Sequence, residues 1–437
     1  MSISENIKYF WQHRFVRQTA VLQSGIVLGN FFQALIGVFL ARLLQPHLFG
    51  IYSIAIGLGS LSSLFLSSGA FDAAAPIIGE SYAKKDYTTI GEVLGFLVKM
   101  IVATGIMGLA YIALLPWIGA RFYGSSLIGT YAMFIVLALI FASTCSGFLT
   151  LCLQLVGKVK TMAKFSVADQ FLRYGLSLVF VAMGLGVMGA INGQWVGAAA
   201  ITVAAGVYWN KLRKEHNFLP SFKKLISLAR TISFKKYFGF TFWVMLDRNM
   251  GSFYITLPVV LTGMYVTATE VTYFKLAFGY INLAMSLLGP ISTLLNMEFS
   301  KMKVDSREAL SRNFIKVSLY AMGLSAVLTL LAVVVSPLAF RILYGVNFLP
   351  STKYVADLLA YGAPYGIGVG LGPMWRAVNR VKVSILINTI ILGVGIPAGI
   401  LLIKYFNIWG AIIMVTLWFT VSHFISFFYL MKKLRKQ

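Results

Sequence analysis

Apolar residues in this chain run in long blocks, and polar residues collect between the blocks instead of alternating with them. Blocks of spanning length fall at 19–41, 51–71, 93–115, 129–155, 167–187 and 189–209, then at 237–261, 271–295, 314–337, 355–376, 383–405 and 408–430. A membrane helix needs about 20 predominantly apolar residues, so the pattern predicts an all-α integral membrane protein with about 12 transmembrane helices. Twelve such spans take roughly 55% of the chain, which leaves no room for a soluble catalytic module. An enzyme is not expected.

Composition sharpens that picture. Of 437 residues, 59% are hydrophobic and 11% charged, which excludes a soluble enzyme and a disordered chain. The net charge of +24 would suggest nucleic acid in a soluble protein, but here it reads as loop charge beside anionic lipid. With the N-terminus inside and the spans alternating, inside segments collect 28 of the 37 Lys and Arg and outside segments five. Four remain within spans: Lys99, Arg173, Arg248 and Lys275. Such a separation predicts that both termini are cytoplasmic. Cys145 and Cys152 fall in one apolar block and read as packing residues, and the four histidines have no ligand spacing. No metal site and no cofactor are expected.

The blocks repeat. Val156-Gly157-Lys158-Val159-Lys160 matches Val378-Asn379-Arg380-Val381-Lys382 at an offset of 222. The Tyr-Gly of Arg121-Phe122-Tyr123-Gly124 recurs at Tyr344-Gly345, and Gly189-Ala190-Ile191 recurs at Gly410-Ala411-Ile412, both offset by 221. Gly57 falls on Gly279, with Ser60 on Asn282. Four matches in order at one offset point to duplication, and an even number of spans per half gives the halves one orientation. The expected organisation is a six-helix lobe at 1–209, a basic amphipathic linker at 210–236 on the inner membrane surface, and a second six-helix lobe at 237–437.

Ionisable residues inside spans are costly, so they are the first candidates for function. Asp247 and Arg248 lie about ten residues into the seventh span, roughly 15 Å deep. Asp169 and Arg173 are four apart in the fifth span, the spacing of a same-face pair, and read equally as a structural ion pair or an inner gate. Lys275 and Lys99 lie nearer span ends, where snorkelling is the plainer reading. Asn30, Gln33 and Asn282 could line a cavity or bond between helices, while Ser60, Ser63 and Ser67 form a small-residue stripe. The tenth span carries Gly362, Gly366, Gly368, Gly370 and Gly372 with Pro364 and Pro373, so it should bend, and broken helices are tolerated where they line a cavity. Its glycine alternation follows no strand and is not a nucleotide fingerprint. No nucleophile–base set or phosphate-cradling loop accompanies these residues, which argues against a primary pump.

Arg42-Leu43-Leu44-Gln45-Pro46-His47-Leu48-Phe49-Gly50-Ile51-Tyr52, Arg121-Phe122-Tyr123-Gly124, Val156 to Lys160, and Glu270-Val271-Thr272-Tyr273-Phe274 carry a resemblance. The chain resembles the multidrug/oligosaccharidyl-lipid/polysaccharide (MOP) flippase superfamily, and within it the O-antigen and polysaccharide flippases. The resemblance implies two parallel-repeat six-helix lobes around a central cavity, the MATE-like fold, working by alternating access. It implies an undecaprenyl-diphosphate-linked oligosaccharide as cargo, in the bacterial inner membrane, with membrane lipids, a polysaccharide polymerase and a chain-length regulator as partners and no nucleic acid. A diphosphate needs cations, and the substrate-binding candidates are Arg248, Asp247, Arg173, Lys275, Asn30, Gln33 and Asn282. The gating and ion-pair candidates are Asp169, Arg173, Pro364 and Pro373. H+ or Na+ coupling is left open. Lipid II flippases of the superfamily usually have two further helices, so lipid II is not the expected cargo. The alternative is a multidrug cation antiporter of the same fold, with Asp247 or Asp169 alternating between ion and drug. A membrane polymerase or ligase would need a large outer loop, which is missing.

Overall fold

The computed structural model describes residues 14–62, 68–305 and 307–435, which are helical throughout with short turns and contain no strand. In chain order the helices are α1 Arg14–Leu61, α2 Ser68–Ala83, α3 Tyr87–Tyr123, α4 Ser126–Leu155, α5 Val159–Phe180, α6 Gly186–Glu215 and α7 Phe222–Thr231. They continue with α8 Lys235–Thr262, α9 Ala268–Ser286, α10 Gly289–Asp305, α11 Arg307–Leu343, α12 Ser351–Asp357, α13 Leu359–Gly362, α14 Leu371–Ala377 and α15 Val381–Arg435. A 3-10 segment, Ala363–Gly370, joins α13 to α14.

Six stretches are long and apolar enough to cross a membrane: Val27–Leu61, Tyr87–Tyr123, Ser126–Leu155, Val159–Glu215, Glu308–Leu343 and Val381–Leu434. Three of them contain a break, at Gln45 (φ 59), at Gly184 and Gly186 (φ 87 and 56), and at Asn407 (φ 53). The breaks at Gln45 and Asn407 fall between two of the blocks read from the sequence, while Gly184 and Gly186 fall inside the end of the fifth block, a few residues before the junction expected at 188. The seventh, eighth and tenth blocks become α8, α9 and the α12–α14 group, which are more polar, shorter or interrupted. On α11 Val327, Leu331 and Val334 are exposed, as a lipid-facing stripe requires.

The repeat is written in the backbone as well as in the residues. α2 (68–83) shifted by 222 falls on 290–305, which is α10. Gly124 (φ 64) falls on Gly345 (φ 97), Gly157 (φ 73) on Asn379 (φ 55), and Gly186 on Asn407. Left-handed backbone is easy for glycine and next easiest for asparagine, so the second half keeps the turn where it changes the residue. Breaks and caps recur at one offset, and that is what a duplicated six-span unit produces.

Two compact units emerge from the packing, Met1–Leu44 with Leu58–Asn249, and Gln45–Gly57 with Met250–Gln437. In the first, a core of Phe71, Ile78, Leu94, Leu97, Phe148, Leu149, Trp209 and Leu225 ties α2, α3, α4 and α6 to α7. α5 and α6 approach closely because Gly193 and Gly197 face the backbone of Ser177 and Arg173, where any side chain would collide. The basic helix α7 packs on this unit: Leu228 lies against Gly95, and Lys99 Nζ donates to the Ile232 carbonyl at 2.8 Å. Lys236 pairs with Glu92 at 2.5 Å. Phe222 and Ile226 stay exposed on its other face beside Lys223 and Lys224.

In the second unit the 3-10 segment lies along α11. Gly366 N–H donates to Ser325 Oγ at 2.9 Å, and Ser325 Oγ donates to the Ala363 carbonyl at 2.7 Å. Gly366 sits directly on the Ala321 carbonyl, so only glycine fits there. The hydroxyl of Ser325 thus satisfies backbone groups that the interrupted helix leaves open.

Candidate transport site

In the first unit the fifth-span pair forms as its spacing predicts. Arg173 Nε donates to Asp169 Oδ1 at 2.8 Å and its Nη2 to Oδ2 at 2.6 Å. This fork-on-fork geometry is the strong form of a carboxylate–guanidinium bond. Both side chains are about 15% exposed (16% and 15%). One turn on, Gln33 Nε2 donates to Tyr174 OH at 2.7 Å, and Gly29 packs on Gln170, so α1 is held to α5 by polar contact. Asn30 is exposed on the same helix. Gln33 is therefore an interhelix bond, one of the two roles its sequence position allowed.

Lys275 behaves differently. It lies on α9, and its Nζ donates to Ser53 Oγ at 2.8 Å and stands 5.1 Å from the centre of the Phe49 ring. A hydroxyl and an aromatic face are neutral partners, and no carboxylate pairs with this ammonium among the described residues. Ser53 is the position 222 before Lys275, so equivalent residues of the two repeats touch each other. The surrounding contacts are reciprocal: Gly50 rests on the Ala268 carbonyl, while Thr272 Oγ1 donates to the Pro46 carbonyl at 2.6 Å. Position 50 of one repeat meets position 46 of the other in both directions, as in a self-complementary interface. Asn347 Nδ2 adds a 2.8 Å bond to Gln45 Oε1. Of the roles open to Lys275 in the sequence, the structure shows a polar contact with Ser53.

Asn282 accepts from Tyr361 OH at 2.7 Å and donates to the Phe278 carbonyl at 2.8 Å. Nearby, Tyr254 OH at 3.0 Å and Ser422 Oγ at 2.7 Å both donate to Asn388 Oδ1. The sequence reading missed Tyr361, Tyr254 and Asn388; aromatic hydroxyls inside apolar blocks were the available signal. Pro364 lies in the 3-10 segment and Pro373 is buried in α14. Lys99 bonds to a backbone carbonyl of the first unit and takes no part in this cluster. Asp247 and Arg248 are helical in α8, two residues before the crossing between units at Asn249–Met250; their side chains lie outside the described residues, as do that of Cys145 and residues Ser63 and Ser67. The candidates thus divide into a paired set near α5 and an unpaired cation on α9. Among the described residues no group of His, Cys, Asp and Glu is placed to hold a metal ion.

Comparison with curated proteins by sequence gives no match. Solved structures of similar fold include the lipid II flippase MurJ in an inward closed conformation, with TM-score 0.65 and 15% identity, covering 94% of this chain and 87% of that one. An inward-facing multidrug resistance MATE family transporter of the MOP superfamily gives 0.62 and 14%, covering 93% and 95%. The eukaryotic MATE transporter AtDTX14 gives 0.60 and 16%, covering 97% and 99%. At these identities the likeness shows the fold: a multi-pass, all-helical membrane fold shared with flippases and transporters. The family model described as polysaccharide biosynthesis protein matches residues 15–297. With well over half of its length matched, the chain belongs to the polysaccharide biosynthesis protein family and carries the fold of the MOP superfamily that its sequence resembles.

Proposed function

We propose that this protein is a flippase that carries undecaprenyl-diphosphate-linked oligosaccharide from the inner to the outer leaflet of the bacterial cytoplasmic membrane, by alternating access of two six-helix lobes, for assembly of O-antigen, capsule or exopolysaccharide. The observation that carries this reading is Lys275, an embedded cation whose partners are neutral. A diphosphate offers it what Ser53 does not, a full negative charge in a low-dielectric setting. Arg248 is the second cation assigned to the diphosphate, with its planar fork suited to phosphate oxygens. The family membership supports polysaccharide assembly as the setting.

A cationic-drug antiporter needs an embedded carboxylate free to exchange partners. Asp169 is held in a bidentate bond by Arg173, which favours an anionic cargo over a cationic one. Both termini on the cytoplasmic side, and a polymerase and chain-length regulator as later partners, complete the proposal. The test is deletion of the gene: surface polysaccharide should vanish while lipid-linked repeat units accumulate inside. Arg248→Ala should reproduce that phenotype at normal membrane abundance, and Arg248→Lys should restore export in part. Full surface polysaccharide in the deletion strain sinks the reading.

A further inference from the structure

The joint between the repeats carries a surface that neither the cargo argument nor the ion pairs use. α7 begins at Phe222, seven residues after the spanning stretch Val159–Glu215 ends, so it lies at the edge of the membrane. It is a fixed element of the first unit. Leu225 is buried in that unit's core, Leu228 fills the seat at Gly91 and Gly95, and Lys99 Nζ holds the Ile232 carbonyl at the far end. Ser221 caps the start, its hydroxyl accepting from the Lys224 N–H at 3.3 Å. Phe222 leans on Trp209, with ring centres 6.0 Å apart, yet it stays 51% exposed, and Ile226 is 51% exposed as well.

At about 100° per residue, the positions of α7 sort into sectors around the axis. Leu225 and Leu228 face the protein. Phe222 and Ile226 form an apolar edge roughly 110° round from them. Lys223 and Arg230 share the side opposite the buried one and border that edge, about 10 Å apart along the axis. Ser227 and Thr231 follow, and Lys224 lies beyond them, away from the apolar edge; all three are exposed. From His216 to Leu246 the chain holds no Asp or Glu. Lys223, Lys224, Arg230 and Lys235 have no carboxylate partner among the described residues, while Lys236 takes Glu92. Bare apolar side chains beside uncompensated cations match a ligand that is apolar at one end and anionic at the other. A stable protein interface needs about 800 Å² on each partner, far more than an edge of two side chains offers. A single acyl chain needs no more than that edge.

We propose that α7 is a docking site for an anionic phospholipid, with Lys223 and Arg230 flanking the headgroup phosphate and one acyl chain lying along Phe222 and Ile226. The long stems of both cations let their heads converge on one phosphate between them, and the guanidinium fork suits its oxygens. α7 is then fastened on two sides, by the first unit through its leucines and by the bilayer through its edge. Bound lipid thereby sets the joint between the repeats at headgroup depth. The assignment does not depend on what the protein carries.

The test uses the full chain in lipid nanodiscs of three parts phosphatidylcholine to one part phosphatidylglycerol, and it needs no cargo. A benzophenone amino acid at position 226 captures whatever covers the apolar edge, and mass spectrometry identifies the adduct. Expected is phosphatidylglycerol, captured well beyond its share of the lipid. One cation beside an anionic surface contributes about fivefold in binding, so Lys223→Gln should lower that preference about fivefold. Lys223→Gln with Arg230→Gln should bring it close to the lipid's share, as should high salt. Lys224→Gln makes the same charge change in another sector and should leave the preference nearly intact. All three cations are exposed, so the variants should fold, which size exclusion checks. Capture in proportion to abundance by the unaltered cations leaves an apolar edge with no headgroup site and overturns the proposal. So does a fall with Lys224→Gln as large as that with Lys223→Gln, which would mean diffuse charge only. An adduct with a second copy of the chain at 226, or no more lipid captured there than by the same probe at Ser227, overturns it too. If the deletion strain keeps its polysaccharide, the flippase reading fails and the capture at 226 still decides the lipid site.

Discussion

The fourth and tenth spans occupy the same place in the two repeats, yet one is a single helix, α4, and the other is divided among α12, α13, a 3-10 segment and α14. The embedded charges differ in the same sense. The first repeat neutralises Arg173 with a carboxylate one turn away, while the second leaves Lys275 with a hydroxyl and an aromatic ring. Duplication supplied one scaffold twice, and the second copy then traded rigidity and charge balance for a soft helix and an available cation.

The sharpest way to break this comparison is to stiffen the soft helix. Gly366→Val forces a branched side chain onto the Ala321 carbonyl, whereas Gly372→Val enters open space. Overpacking a fitted site costs about 1–3 kcal/mol or more, so Gly366→Val should lose most folded protein by fluorescence-detected size exclusion while Gly372→Val keeps it. Equal abundance of the two would show that the 3-10 segment is not packed as described.

Next comes the contrast between the cations. Breaking a buried ion pair costs about 3–5 kcal/mol, and the partial exposure of Asp169 and Arg173 places Arg173→Met at the low end. Thermal midpoint and abundance should both fall, and the double change Asp169→Asn with Arg173→Gln should recover most of the loss. Lys275→Met strands no carboxylate, so it should leave the midpoint unchanged or raised while export is lost. A Lys275→Met protein as unstable as Arg173→Met would mean that Lys275 has a structural partner after all.

Smaller effects lie at the surface. Glu92→Gln removes the bond to Lys236, which is half exposed, and should cost at most about 1 kcal/mol, a difference that high salt erases. Smallest is Asp86, the cap of α3, whose carboxylate accepts from Thr88, the Thr89 hydroxyl and the Thr89 N–H and is held down to about 2 by those bonds. A lowered carboxylate stabilises the fold above its unfolded value near 4, and that contribution is lost as pH falls through about 2. Asp86→Ala should lower the midpoint slightly at neutral pH, with the gap to wild type closing as the solution is acidified. A gap independent of pH would rule out the charge as the source of the cap's effect.

The helical class and the repeat were legible because both rest on local signals: block length, glycine at turns, and a fixed offset. The bend in the tenth span was legible for the same reason, since Pro364 and the glycines state it within a dozen residues. Asp169 with Arg173 followed from helical spacing alone. The contact of Lys275 with Ser53 was not legible, because that partner is 222 residues away and uncharged; hydropathy gives no sign of it. The linker reading also needed tertiary detail: 210–236 looks like a free amphipathic strip, but Gly91 and Gly95 on α3 open a seat for Leu228 that no pattern within the linker reveals.

The touch between Ser53 and Lys275 has a bearing on the molecule's history. In a chain of half this length pairing with itself, the residue at this position would face its own twin. Two lysines there would place ammonium groups side by side, a repulsion of about 4 kcal/mol at 4 Å even at an effective dielectric of 20. Two serines would be harmless but would offer no charge to an anion. One lysine against one serine is open only to a chain in which the two equivalent positions vary independently, and it sets a single positive charge where those positions meet.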